Sequence, residues 1–144
     1  MININAYSTE IYEHEFTAVM LIETEEYNFI LAEGGAHPDS QAATCMIKAY
    51  LNKENKGSLI GELQSVDTDI YTYDIKKNEK REIKVNKNED FITIDGVDTF
   101  GLCGLGVDFN GKYTKIDKDS KTFTKEVTQL RSLMSQQERK ELKN

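Results

Sequence analysis

Hydrophobic positions change their period along this chain, and each change predicts an element. Residues 16–23 hold a nearly continuous apolar run, Thr17-Ala18-Val19-Met20-Leu21-Ile22, which predicts a central strand covered on both faces. Residues 2–9 read as a strand before it. After the polar break Thr24-Glu25-Glu26, Tyr27, Phe29 and Leu31 alternate against Asn28, Ile30 and Ala32, which predicts the return arm of a hairpin. Gly34-Gly35 then punctuates the chain, and Pro38-Asp39-Ser40 supplies turn and cap residues. Ala43, Met46, Ile47, Tyr50 and Leu51 follow at helical spacing, so a helix is expected over 39–52. Short runs at 58–64, 69–75, 81–85 and 91–94, separated by turn formers such as Lys77-Asn78 and Lys87-Asn88, predict an antiparallel meander. From Ser120 the helical period returns with Phe123, Val127, Leu130 and Leu133 or Met134. Ser135-Gln136-Gln137-Glu138 matches a capping box, so the helix is expected to break near Met134 and restart. The polar tail from Glu138 has Leu142 alone to bury, and fraying or ordering on a partner is expected there.

These elements add up to an α+β domain. One mostly antiparallel or mixed sheet of five to seven strands would carry helix 39–52 on one face, with a C-terminal helix from about residue 122. A domain over 1–118 and a helical extension over 119–144 is the simplest division. A length of 144 residues suits one domain, and 38% hydrophobic content with 13 Phe and Tyr can fill a core. Apolar runs stop at about five residues, far short of the ~20 that span a bilayer. The first residues show no apolar segment of signal-peptide type, so no membrane association and a cytoplasmic location are expected. Cys45 and Cys103 match no metal-ligand spacing; reduced, buried thiols are the expectation, with a disulfide left open.

Charge is the most unusual feature. The net charge is −7, from 25 acids against 18 Lys and Arg, which counts against direct nucleic-acid binding. Residues 1–47 hold eight acids and no Lys or Arg, whereas 76–87 hold Lys76, Lys77, Lys80, Arg81, Lys84 and Lys87 against Glu79 and Glu82. The bland reading is a set of solvated faces that keep the protein soluble. The sharper reading is an acidic surface that docks on a basic partner, steered by Glu10, Glu13, Glu15, Glu23, Glu25 and Glu26.

Catalytic chemistry has few residues to work with. His14 and His37 are the two histidines available as a base for a Cys or Ser nucleophile, and their number excludes a histidine-rich metal site. Gly101-Leu102-Cys103-Gly104-Leu105-Gly106 could bring backbone amides near a phosphate but lacks the Lys-Ser or Lys-Thr ending of a P-loop. No catalytic residue, metal ligand or cofactor is assigned. An all-carboxylate magnesium site drawn from Asp39, Asp67, Asp69 and Asp74 stays open.

The order of three strands and a helix, with Gly34-Gly35 before Ser40-Gln41-Ala42-Ala43, and then Asp69-Ile70-Tyr71-Thr72-Tyr73-Asp74, resembles the front half of the ribonuclease H family. The likeness covers roughly residues 2–75. Tyr7-Ser8 stands where the family has Asp-Gly, Ala42-Ala43 where it has Ala-Glu, and Tyr73 where it has Asp. Asp74 comes one residue late, which turns it to the opposite strand face. The resemblance therefore implies a degenerate, non-catalytic relative. The function expected is an acidic binding protein, an inhibitor or adaptor acting by protein–protein contact. The alternatives are a metal-dependent nuclease or phosphotransfer enzyme with shifted carboxylates, and a structural subunit that oligomerises through strand edges.

Overall fold

The computed structural model describes residues 8–35, 44–54 and 56–142. Eight strands close into a barrel: β1 (Ser8–His14), β2 (Thr17–Glu23), β3 (Asn28–Gly34), β4 (Cys45–Lys53), β5 (Ser58–Leu63), β8 (Glu82–Lys87), β9 (Phe91–Asp95) and β10 (Gly111–Lys115). Neighbours in this order pair antiparallel, and β10 returns to β1 through Tyr12↔Lys115 and Glu13↔Thr114. Between β5 and β8 the chain makes a small ribbon of β6 (Val66–Asp67) and β7 (Thr72–Tyr73). Two helices follow the strands, α1 (Lys121–Arg131) and α2 (Gln136–Glu141).

Register identifies the inner face. Tyr12, Val19, Ala32 and Ile47 lie opposite one another across β1 to β4, and Lys87, Ile92, Tyr113 and Lys115 share that face through β8 to β10. Glu10 of β1 reaches Lys87 of β8 at 3.1 Å although two strands separate them in the wall, so this face lines the lumen. Aliphatic side chains such as Leu21, Ile30, Leu51, Val85 and Ile94 fill it, as eight-stranded barrels allow.

A second core lies outside the wall. Met20, Ile22, Phe29, Leu31 and Met46 face outward yet are fully buried, as are Leu130, Leu133, Met134 and Leu142 of the helical segment. Helix α1 packs on β1, β2 and β3. Lys48 of β4 and Glu138 of α2 form a buried ion pair at 2.7 Å. The capping box at Ser135 and Glu138 is present, and Leu142 is fully buried, so the tail docks on its own barrel.

This architecture overturns the α+β, ribonuclease H-like expectation: the sheet is closed, antiparallel and mostly without helices. Helix 39–52 is instead strand β4 from Cys45 onward; its expected cap Pro38-Asp39-Ser40 lies outside the described residues. The physical reason is double coverage. Cys45 to Ala49 are all buried, since β4 faces the lumen on one side and α2 on the other, and a strand apolar on both faces contains every helical spacing by default. Where the outer face meets solvent the period is clean: Ile83 and Val85 are buried between exposed Glu82 and Lys84. Most of the strand expected at 2–9 also lies outside the described residues, apart from the start of β1.

Candidate functional site

The two ends of the barrel differ in length and chemistry. At one end the hairpins are short and the lumen turns polar. Glu10 Oε1 accepts from the Tyr12 hydroxyl at 2.7 Å and pairs with Lys87 at 3.1 Å, while Oε2 pairs with Lys115 at 3.0 Å. Glu23 continues the chain to Lys87 and Lys53, each at 3.7 Å. Five charges thus alternate across the mouth. Burial by itself raises the Glu10 pKa, but the hydrogen bonds from Tyr12, Lys115 and Lys87 outweigh it and hold the carboxyl at about 2. Burial, and then the bond to Glu10, push the Tyr12 phenol above its ordinary range. Asn28, opposite Glu23 in the register, is 1% exposed, and its Oδ1 accepts no hydrogen bond from the described residues. A cleft of about 580 Å³ opens beside the mouth between Glu10, Asp90, Lys115 and Asp117.

The opposite end carries the tight turn at 15–16 and two long connections, the segment 64–81 and the loop 96–110. Phe109 is fully buried and closes the lumen, and its carbonyl accepts from the Tyr113 hydroxyl at 2.7 Å. Gly35, at φ 78, admits this plug, because a Cβ there would stand 2.7 Å from Val107 and 3.0 Å from the Phe109 ring. Asn110 ties both ends of the loop, accepting from the Val97 amide and donating to its carbonyl, each at 2.9 Å. Arg81 pairs with Glu79 and donates to the Asp98 carbonyl at 2.9 Å, which joins segment 64–81 to the loop. Cys45 and Cys103 form a disulfide, so the thiols expected to be reduced are joined and neither can act as a nucleophile in this state.

Four large apolar side chains are exposed among the described residues, and all four stand at this end. They are Phe16, Ile70, Phe100 and Leu105, between 65% and 84% exposed. Glu15 beside Phe16 holds φ 53, a left-handed conformation that costs a residue with a Cβ about 1 kcal/mol. The three connections carry seven carboxylates against four Lys and Arg. Apolar residues inside turn-forming sequence, as in Gly104-Leu105-Gly106, were the signal that sequence reasoning passed over.

The six carboxylates expected to steer a partner do not share one face. Glu10 is spent inside the barrel, Glu23 sits on the rim of the mouth, and Glu25 and Glu26 are exposed on the hairpin at that end. Glu13 and Glu15 are exposed at the disulfide end, where Glu15 lies 3.2 Å from His14. Asp67, Asp69 and Asp74 are exposed on or beside the β6–β7 ribbon, and Asp39 and His37 lie outside the described residues. Among the described residues no group of three or more His, Cys, Asp or Glu could hold a metal ion. Within the glycine-rich segment the amides of Leu102 and Cys103 donate to the Thr99 carbonyl. No described helix is long and apolar enough to cross a membrane.

No family model, curated protein or solved structure matches this chain.

Proposed function

We propose that this chain is a non-catalytic binding protein that engages a basic protein surface, as an inhibitor or adaptor. The observation that carries the reading is the exposed acid at the disulfide end, where Glu13 of β1 and Glu15 of its turn stand with Asp69, Asp98 and Asp108 of the connections 64–81 and 96–110. Burial and then the negative charge of Glu13, with a further push from Glu33, raise the Glu126 pKa, and Lys125 offsets this in part. Negative charge concentrated in this way favours encounter with a cationic surface and makes it salt-dependent. The test compares the native chain with a Glu13→Gln/Glu15→Gln/Glu126→Gln variant as bait in extract from its own source. A basic protein held by the native chain, released by salt and lost from the variant supports the reading; equal retention by both baits overturns it.

Asn28 favours a second reading, in which the polar mouth holds a small ligand that donates a hydrogen bond to the buried Oδ1. Native mass spectrometry of the purified chain checks this. A bound small molecule that Asn28→Leu abolishes is the supporting result, and an identical spectrum counts against it.

For compartment, the disulfide supports an oxidising environment over the cytoplasm expected from sequence. Alkylation trapping of Cys45 and Cys103 in cells reads this directly, since free thiols would restore the cytoplasmic assignment.

A further inference from the structure

We infer that the disulfide-tied end of the barrel is the docking surface, with Phe16, Ile70, Phe100 and Leu105 as apolar anchors, and that it fits a protein whose apolar patch is bordered by Lys and Arg. This rests on the basic-partner reading above and locates its contact. Three observations converge. First, every large apolar side chain exposed among the described residues comes from connections at this one end. Scattered exposed hydrophobics are ordinary, but a concentration on one end is the mark of an interaction surface.

Second, each anchor has a carboxylate close by in the chain. Glu15 adjoins Phe16, Asp69 adjoins Ile70, Asp98 lies two residues before Phe100, and Asp108 three after Leu105, all four acids being exposed. That arrangement selects the occupant. An anionic lipid surface would meet repulsion at every anchor, and a second copy presenting the same end would oppose carboxylate to carboxylate. A cationic rim around an apolar patch pairs with both components.

Third, the anchors stand on a fixed frame. Cys45–Cys103 and the Asn110 latch hold the loop that carries Phe100 and Leu105, and Arg81 ties it to the segment that carries Ile70. Glu15 and Gly106 line one pocket of about 190 Å³, so the turn bearing Phe16 lies against the same loop. Anchors held in place before contact lose little entropy on binding.

The experiment uses the full, oxidised chain and the basic protein captured by it at low salt. A photo-crosslinking phenylalanine analogue is placed at Phe16, at Phe100 or at Glu26 on the opposite end, and affinity is measured for Phe100→Ser/Leu105→Ser. Adducts at positions 16 and 100 but not 26, with at least tenfold weaker binding by the double variant and unchanged thermal unfolding, are the expected result. If the charge variants release the partner while the double variant binds normally, or adducts form at 26, the docking surface is wrong and the basic-partner reading stands. If the double variant loses the partner while salt and the charge variants have no effect, the basic-partner reading is wrong and the surface stands. Absence of any captured basic protein overturns both. Co-sedimentation with phosphatidylserine vesicles, abolished in the double variant, would reassign the surface to lipid.

Discussion

Glu10 is ionised inside the barrel because three donors surround it, and this makes stability depend on acid. Its folded pKa of about 2 lies below the ordinary 4.5. The stabilisation is therefore complete above pH 4.5 and is lost as the pH falls toward 2. Solvent at the mouth screens part of the effect, leaving on the order of 1–2 kcal/mol. Chemical denaturation of Glu10→Gln between pH 7 and pH 2 should show a flatter profile than the native chain and a lower stability at neutral pH. Lys48 and Glu138 form the other buried charge pair, at 2.7 Å on the outer face. Lys48→Met strands the carboxylate and is expected to cost about 3 kcal/mol. Lys48→Met/Glu138→Gln should recover most of that loss, since Gln can still cap Ser135, and a double-mutant cycle by urea unfolding measures the coupling.

Loop 96–110 shows how one covalent bond governs an element with little secondary structure. Its ends are fixed by Asn110 and by the buried Phe109, whereas the stretch carrying Phe100 and Leu105 is tied to the barrel by Cys103. The two cysteines are 58 residues apart, and losing the bond is expected to cost about 2–4 kcal/mol. Hydrogen exchange of Cys103→Ser should quicken across 98–107 and leave β8 to β10 protected; uniform exchange in both proteins would refute the tether. The same loop shows why element identity was only half legible. Strands β8 and β9 alternate because one face is wet, so their period is visible in the residues themselves. Strand β4 is buried on both sides up to Ala49, and the pattern Ala43, Met46, Ile47, Tyr50 and Leu51 then carries no face information.

Closure organises the whole molecule. Every wall strand has a partner on both sides, so among the described strands free edges are confined to the two-stranded β6–β7 ribbon. Sedimentation of the oxidised chain at tens of micromolar should give a monomer near 16.4 kDa, and a concentration-dependent dimer would favour the subunit that oligomerises through strand edges. Closure also divides the acids. It draws Glu10 and Glu23 to the lumen and rim and leaves Glu13 and Glu15 near Phe16, so one acidic stretch is divided between the two ends of the barrel.

Local chemistry decided what is local. The apolar run of β2, the hairpin to β3, the helix after Ser120 and the capping box at Ser135 could all be read from the residues, because caps and turns depend on neighbours a few positions away. The charge asymmetry could be read in the same way. Long-range pairing was decided by the tertiary structure alone. That β10 returns to β1, that Cys45 meets Cys103, and that Glu10 meets Lys87 and Lys115 all join residues far apart in sequence. No period or motif encodes such meetings, since they follow from the twist and number of strands that close the barrel. For the same reason four apolar residues isolated along the chain stand at one end only when three connections are brought there.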